Sequence, residues 1–328
     1  MLYISTRGSA DAFTAHRTLL TDRAPDGGCF IPMRFPQLST EEVREILSEP
    51  FESIVAKVLN IFFRVDLTQW DVGFCFGRNT LRIIDLNPKI HFAELWHNPG
   101  NGMEYIALGL FRRIFGEETD LKLSEWFRIV MNIAVIFGIY SELEKQKSIA
   151  FGDQFDFAVP ADDFTFPIAI LYAAKLGLPV GDIVCNCVYN HAIWNLIHRG
   201  ELSTTDIVGD SNSCVERLLH LRAGLVDLEG REIRFEPENH RQLKDGLFCA
   251  VSGPERRTQA ITSVFRNTKK LLTPDAALCI AGLGDYRART GESRFTLIIE
   301  ESSPVLFPAE MERATGIPAR KIGDYLKE

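Results

Sequence analysis

Residues 94–105, Glu-Leu-Trp-His-Asn-Pro-Gly-Asn-Gly-Met-Glu-Tyr, hold the side chains best placed to do chemistry. Asn98, Pro99, Gly100, Asn101 and Gly102 form a dense turn cluster, and from Tyr105 apolar residues recur three and four apart, which predicts a helix. A glycine-bearing loop opening onto a helix N-terminus presents backbone N–H groups to an anion. His97 and Glu104 add two titratable groups there. Glu104 is the candidate general base, His97 its proton partner, and Asn98, Asn101 and Tyr105 candidate substrate contacts. Further carboxylates follow predicted strands: Asp162 and Asp163 after 155–160, and Glu300 and Glu301 in the strand that starts at Phe295. Asn190 joins the substrate-binding set as an orienting amide. Open α/β sheets bind ligands beyond the carboxyl ends of their strands. Carboxylates crowded there raise one another's pKa, which supplies a general acid and a general base.

Each of these residues also has a plain reading. A glutamate in a first helical turn contributes about 0.3–1 kcal/mol against the helix dipole. His97 reads equally as a buried imidazole bonded to backbone, the paired aspartates as caps for a helix near Phe166, and Glu301 as a solvated strand end. A divalent cation held by oxygen ligands is a further option, though no spacing demands it.

The elements that must position these groups follow from periodicity. Residues 155–160 alternate as a strand, 168–176 read as a helix, and 178–185 as the next strand, a rhythm that predicts a parallel sheet with right-handed crossovers. Ser39-Thr-Glu-Glu reads as a capping box opening a helix to about Leu47, with a second helix over 51–62. Residues 121–143 are apolar nearly all round, so that helix must be buried by neighbours. A β-ribbon over 225–238 around Glu229-Gly230, a strand over 246–251 and a helix over 257–272 complete the pattern. Cys185 and Cys187 share one face of a strand near His191, where a metal site competes with the commoner reading of small buried thiols.

A chain of 328 residues with 46% hydrophobic content can bury a substantial core in two domains or one large α/β domain. Its net charge of −8 argues against nucleic-acid binding. No apolar run is expected to span a bilayer and Met1-Leu-Tyr-Ile-Ser-Thr-Arg lacks a signal-peptide core, so a cytoplasmic setting is expected. Seven cysteines, an odd number spread along the chain, read as free thiols in a reducing compartment.

Tyr3-Ile-Ser-Thr-Arg-Gly8 and Asp26-Gly-Gly-Cys-Phe-Ile-Pro32 resemble the N-terminal signature of the threonine synthases, fold-type II pyridoxal-phosphate (PLP) enzymes. Residues 94–104 look like that family's cofactor-lysine segment, Glu-Leu-Phe-His-Gly-Pro-Thr-Leu-Ala-Phe-Lys-Asp. Glu94, Leu95, His97 and Pro99 match, and Glu104 falls on the lysine that forms the Schiff base. Residues 159–166 are similar to the phosphate-binding Val-Pro-Thr-Gly-Asn-Phe-Gly-Asn, with Asp162 and Thr165 on its glycines. Glu300 and Glu301 fall on the strand end that meets the pyridine nitrogen, and Trp126 and Arg128 match the helix that follows the family's small domain.

The resemblance implies an α/β fold, threonine-synthase-like (tryptophan synthase β-like), with a parallel sheet flanked by helices and the small domain deleted. Residues 1–90 would form the N-terminal domain and 91–328 the large domain. A carboxylate forms no imine, so the same replacements imply that PLP is absent and that no other cofactor or metal takes its place. The expected function is PLP-independent acid/base chemistry (elimination, isomerisation or cyclisation) on a small amino-acid-like or phosphorylated hydroxy-acid-derived metabolite. The competing expectation is a non-catalytic relative that binds a metabolite or a partner protein. The flank left by the missing domain would be covered by a second copy, by another chain or by solvent-tolerant residues; neither a nucleic acid nor a membrane is an expected partner.

Overall fold

The computed structural model describes residues 1–77, 81–116, 123–188, 190–203, 213–224 and 232–327. The chain opens with β1 (Leu2–Ser5), β2 (Phe13–Thr14), α1 (Ala15–Leu20), β3 (Phe30–Pro32), α2 (Thr40–Leu47), α3 (Phe51–Phe63) and α4 (Gln69–Phe76). It continues through β4 (Arg82–Asn87), β5 (Ile90–Glu94), α5 (Met103–Phe115), α6 (Glu125–Lys145), β6 (Asp156–Pro160), α7 (Thr165–Leu176) and β7 (Ile183–Asn186). Next come α8 (His191–Arg199), β8 (Glu201–Ser203), α9 (Ser213–Ala223), β9 (Glu232–Arg234), α10 (Pro237–Lys244) and β10 (Leu247–Ala250). The last elements are α11 (Pro254–Thr268), α12 (Pro274–Thr290), β11 (Thr296–Glu300), α13 (Pro308–Thr315) and α14 (Ile322–Tyr325).

The main sheet runs β10-β7-β6-β11-β5-β4, with every neighbouring pair parallel except the edge strand β4, which pairs antiparallel with β5. A small antiparallel sheet, β2-β1-β3, lies at the N-terminus, and β8 pairs antiparallel with β9. Strand alternation assigns each residue to one of two cores. Ala93, Phe157, Val159, Ile183, Cys185, Leu297 and Ile299 face the larger core, which also takes in Tyr3, Phe30 and the helices α3, α6 and α7. Phe92, Ala158, Val184 and Ile298 face the opposite side, packing on α11 and α12. The larger core runs from the N-terminal sheet into the main sheet without a break, and β4, inside the stretch assigned to the N-terminal domain, is part of the main sheet.

Helix α6 is long and apolar enough to cross a membrane, contrary to the expectation that no segment would be, but 89% of it is buried inside the protein. It is the central helix of the larger core, with Trp126, Phe127, Ile133, Phe137 and Tyr140 all fully or almost fully enclosed. The Ser39 capping box forms as expected, Ser39 Oγ accepting from Glu42 N while the Glu42 carboxylate accepts from Ser39 N.

Elsewhere the expectations need correction. Of the ribbon expected over 225–238, residues 225–231 lie outside the described residues; β9 is a strand, and from Pro237 the chain turns helical because proline is preorganised for a first helical turn. The strand expected from Leu178 starts at Ile183. The helix expected over 257–272 spans Pro254–Thr268 and stops where Lys269 takes a left-handed conformation, φ 64°. The turn at Glu229-Gly230, residues 205–207, Tyr189 and Lys122 lie outside the described residues. All seven cysteines are free and buried. Among the described residues, no group of three or more His, Cys, Asp or Glu side chains is arranged to hold a metal ion, Cys185, Cys187 and His191 included.

Candidate functional site

The loop between β5 and α5 is built around Asn98. Its Oδ1 accepts from Gly100 N at 3.0 Å and Gly102 N at 3.4 Å, while its Nδ2 donates to Leu95 O. Asn101 sits in the left-handed region, φ 54°, and its carbonyl accepts from Ser303 N, tying this loop to the segment after β11. Asn98 and Asn101 therefore shape the turn. A Cβ on Gly100 would lie 2.3 Å from Tyr105 Cβ, so the loop can close over the half-exposed tyrosine only with glycine there. Helix α5 then places Glu104 in its first turn, where the dipole favours a carboxylate.

Glu104 and His97 go to different places. The Glu104 carboxylate is largely exposed and accepts from Arg128 Nη2 of α6 at 3.0 Å. His97 stacks on Trp96, and its Nε2 lies 2.6 Å from Glu94 Oε2. Glu94 also bonds Lys270 Nζ, which donates in turn to Glu300 at 2.8 Å. Thr273 N donates to the other Glu300 oxygen. Burial alone would raise the Glu94 carboxyl, but the bonds and charges of His97 and Lys270 outweigh it and hold Glu94 below its ordinary range. Burial raises Glu300 despite the opposing Lys270 charge. Lys270 is held above its ordinary value because Glu300 and Glu94 outweigh burial.

The separation of Glu300 from Glu301 follows from strand phase. Glu94 and Glu300 are register partners on parallel β5 and β11 and continue the side of Phe92 and Ile298. Two carboxylates side by side in a dry layer repel, and the Lys270 ammonium between them removes that penalty. Glu301, one residue on, faces the opposite side.

On that opposite side lies a cavity of about 200 Å³. Its walls are Met103, Glu104 and Ala107 of α5, Leu123, Arg128, Met131 and Asn132 of α6 and its approach, Asp163 and Thr165 of the β6–α7 loop, and Glu301. The Glu301 carboxyl lies deep in the protein, keeps solvent contact through the cavity and forms no hydrogen bond or ion pair among the described residues. Burial, reinforced by the charges of Asp163 and Asp275 and opposed by Arg128, pushes it up to about 8. Asp162, exposed in the same loop as Asp163, is pushed up to about 6 by desolvation and by Asp275 and Asp163. Asn132, inside α6, is only 5% exposed, and its side chain forms no hydrogen bond among the described residues.

The β6–α7 loop has acid chemistry where a phosphate cradle would need free N–H groups. Asp163 Oδ1 accepts from Thr165 N at 2.9 Å, so the carboxylate itself occupies the helix start. Phe164, in the left-handed region at φ 58°, is fully buried. Asn190 caps α8 by accepting from Ile193 N and donates Nδ2 to the carbonyls of Ala161 and Asp162, which fixes the loop from below. A dianionic phosphate does not fit beside Asp162 and Asp163.

Of the sequence-derived candidates, Glu104 and Asp163 line the cavity with Glu301, and Asp162 adjoins them. His97 and Glu300 belong to the Lys270 network, and Asn98, Asn101 and Asn190 hold the surrounding loops. Sequence reasoning missed Lys270 and Asn132. The signal for Asn132 is a lone amide in an otherwise apolar helix face; Lys270 carries none, because its carboxylate partners lie far away in sequence.

This fold defines a threonine-synthase-like α/β protein, a mostly parallel sheet flanked by helices. The family model for the threonine synthase N terminus matches residues 2–76. Human threonine synthase-like 1 is 29% identical over 136 residues, 37% of this chain and 18% of that protein. Threonine synthase from Pseudomonas aeruginosa is 28% identical over 122 residues, 35% of this chain and 26% of that enzyme, so the chain spans at most about a quarter of the length of these curated relatives. Among solved structures, PLP-bound threonine synthase from Brucella melitensis superposes with a TM-score of 0.77 at 17% identity, covering 100% of this chain and 95% of the other. Yeast threonine synthase gives a TM-score of 0.78 at 14% identity, covering 98% and 94%.

Proposed function

We propose that this chain uses the threonine synthase frame without PLP, as an acid–base site for a small metabolite. The observation that carries this reading is convergence. Glu104, Asp163 and Glu301 fall in sequence on the imine lysine, the phosphate loop and the pyridine-nitrogen partner, and all three line one cavity. Among the described residues no lysine lines that cavity, and Lys270, buried nearby in the fold, is engaged by two carboxylates. In this reading Glu301, protonated at neutral pH in the empty site, is the group that gives up its proton as substrate binds. Glu104, at the rim and paired with Arg128, receives a proton in the opposite direction. The reaction class is elimination, isomerisation or cyclisation, in amino-acid-related or specialised biosynthesis. The seven free buried thiols agree with a reducing, cytoplasmic setting.

The test is a melting-temperature screen of the wild type, Glu301→Gln and Glu104→Gln against amino acids, hydroxy acids and their phosphorylated forms, since a specific ligand raises stability by mass action. The expected result is a stabilising ligand whose effect needs Glu301 and whose turnover needs Glu104. A ligand bound and turned over equally by all three proteins overturns the assignment. A second reading, a non-catalytic relative that binds a partner protein, is favoured by one feature. Trp70 and Phe74, four residues apart on one face of α4, are each 79% exposed.

A further inference from the structure

We infer that the cavity beside α5 and α6 selects a primary ammonium group carried on a short apolar chain; this rests on the cavity being the working site proposed above. At its polar end three hydrogen-bond acceptors, the Asn132 amide oxygen, the Glu301 carboxyl and the Asp163 carboxylate, line the same small space. Asn132 and Glu301 have no protein partner among the described residues, although Asn132 is almost fully enclosed. Polar groups that open onto a cavity without protein partners are available to bond a ligand there. An ammonium offers three donors and no acceptor, and the oxygens of Asn132, Glu301 and Asp163 are acceptors it can use, beside the donors that Arg128 and Thr165 bring to the same lining.

The charge balance points the same way. Glu104, Asp163, Glu301, Asp162 and Asp275 surround this end, from α5, the β6–α7 loop, the segment after β11 and α12. Arg128 opposes them from α6 but is already bonded to Glu104. A cation is therefore favoured and an anion, a phosphate above all, is repelled. Of the remaining lining residues, Met103, Ala107, Leu123 and Met131 are apolar and only Thr165 is polar, which suits a hydrocarbon stem and not a hydrated metal ion.

Binding is coupled to proton loss. The ligand arrives as R–NH3+, the Glu301 acid gives its proton to solvent, and the bound pair is R–NH3+ with the Glu301 carboxylate, one proton released per ligand. Below the Glu301 pKa of about 8 affinity should therefore rise with pH, by up to about tenfold per unit, until Glu301 is already ionised.

The experiment is calorimetric titration of the full chain with n-butylamine, n-butanol and butyrate in two buffers of different protonation enthalpy. The expected result is binding of the amine alone, with proton release near neutral pH. Glu301→Gln should abolish the release, and Asn132→Leu should weaken binding about tenfold or more. Asn132→Asp, which adds an acceptor charge, should strengthen it; this second variant covers the case in which Asn132→Leu fails to fold. Butyrate binding as well as the amine, or amine affinity indifferent to all three substitutions, overturns the inference. A separate titration with PLP distinguishes the two levels. Imine absorption would sink the PLP-free reading itself, whereas its absence together with failed amine binding would sink only the ligand class.

Discussion

Glu301 concentrates the unusual energetics of the molecule. Its acid form is the stable one inside the fold, so the native state holds a proton that the unfolded chain gives up near the ordinary value of 4.5. The sign follows from linkage: with the folded pKa raised, this group leaves stability intact below 4.5 and erodes it progressively as pH rises to about 8. Asp162 adds the same sign between 3.8 and about 6. Thermal unfolding followed across pH 4–9 should show Glu301→Gln more stable than wild type at the alkaline end and equal to it at the acid end. A Glu301→Gln curve parallel to wild type would mean that the carboxyl ionises freely. Much of this site was legible from residue types, because Glu104, Asp162 and Asp163 stand where a known motif places cofactor contacts. The split between Glu300 and Glu301 needed the strand phase, which a one-residue ambiguity at a strand end hides. His97 bonds a carboxylate rather than backbone, and only the fold brings Lys270 to that carboxylate.

Two elements hold the cavity walls in place, and each makes a prediction. Lys270, just beyond α11, joins the ends of β5 and β11 by sharing its ammonium between Glu94 and Glu300. Replacing it with Met leaves two neighbouring buried carboxylates uncompensated, and breaking a buried pair in this way costs about 3–5 kcal/mol. Denaturant unfolding should register that loss, and a change under about 1 kcal/mol would show that water reaches the pair. Asn190 caps α8 and holds the loop that carries Asp162 and Asp163. Asn190→Ala should cost about 1–2 kcal/mol for the cap and should also shift the ligand response, since Asp163 would lose its support. An unchanged ligand response would make Asn190 a cap and nothing more. The capping box at Ser39 and the apolar run of α6 could be read directly because their signals are local. The hairpin of β4 and β5 and the helices α4 and α12 escaped notice, since α4 and α12 carry glycines and β4 is only partly buried, which blurs periodicity.

At the scale of the molecule, the threonine-synthase fold is kept. Residues 116–124 are all that join α5 to α6, and the cavity lies between those two helices and the sheet. The exposed Trp70 and Phe74 lie on α4, which packs against α5. If no element of this chain covers them, the double change Trp70→Ser, Phe74→Ser should alter monomer stability by no more than about 0.5 kcal/mol. A larger loss that depends on protein concentration would show that a second copy buries them. The most direct measurement is a visible-absorption titration of the purified chain with PLP, repeated on Lys270→Met. Acid groups in place of the lysine and the phosphate cradle should give no imine absorption and no thermal stabilisation at any concentration. A stoichiometric imine band, lost on changing a single lysine, would contradict the reading at its root.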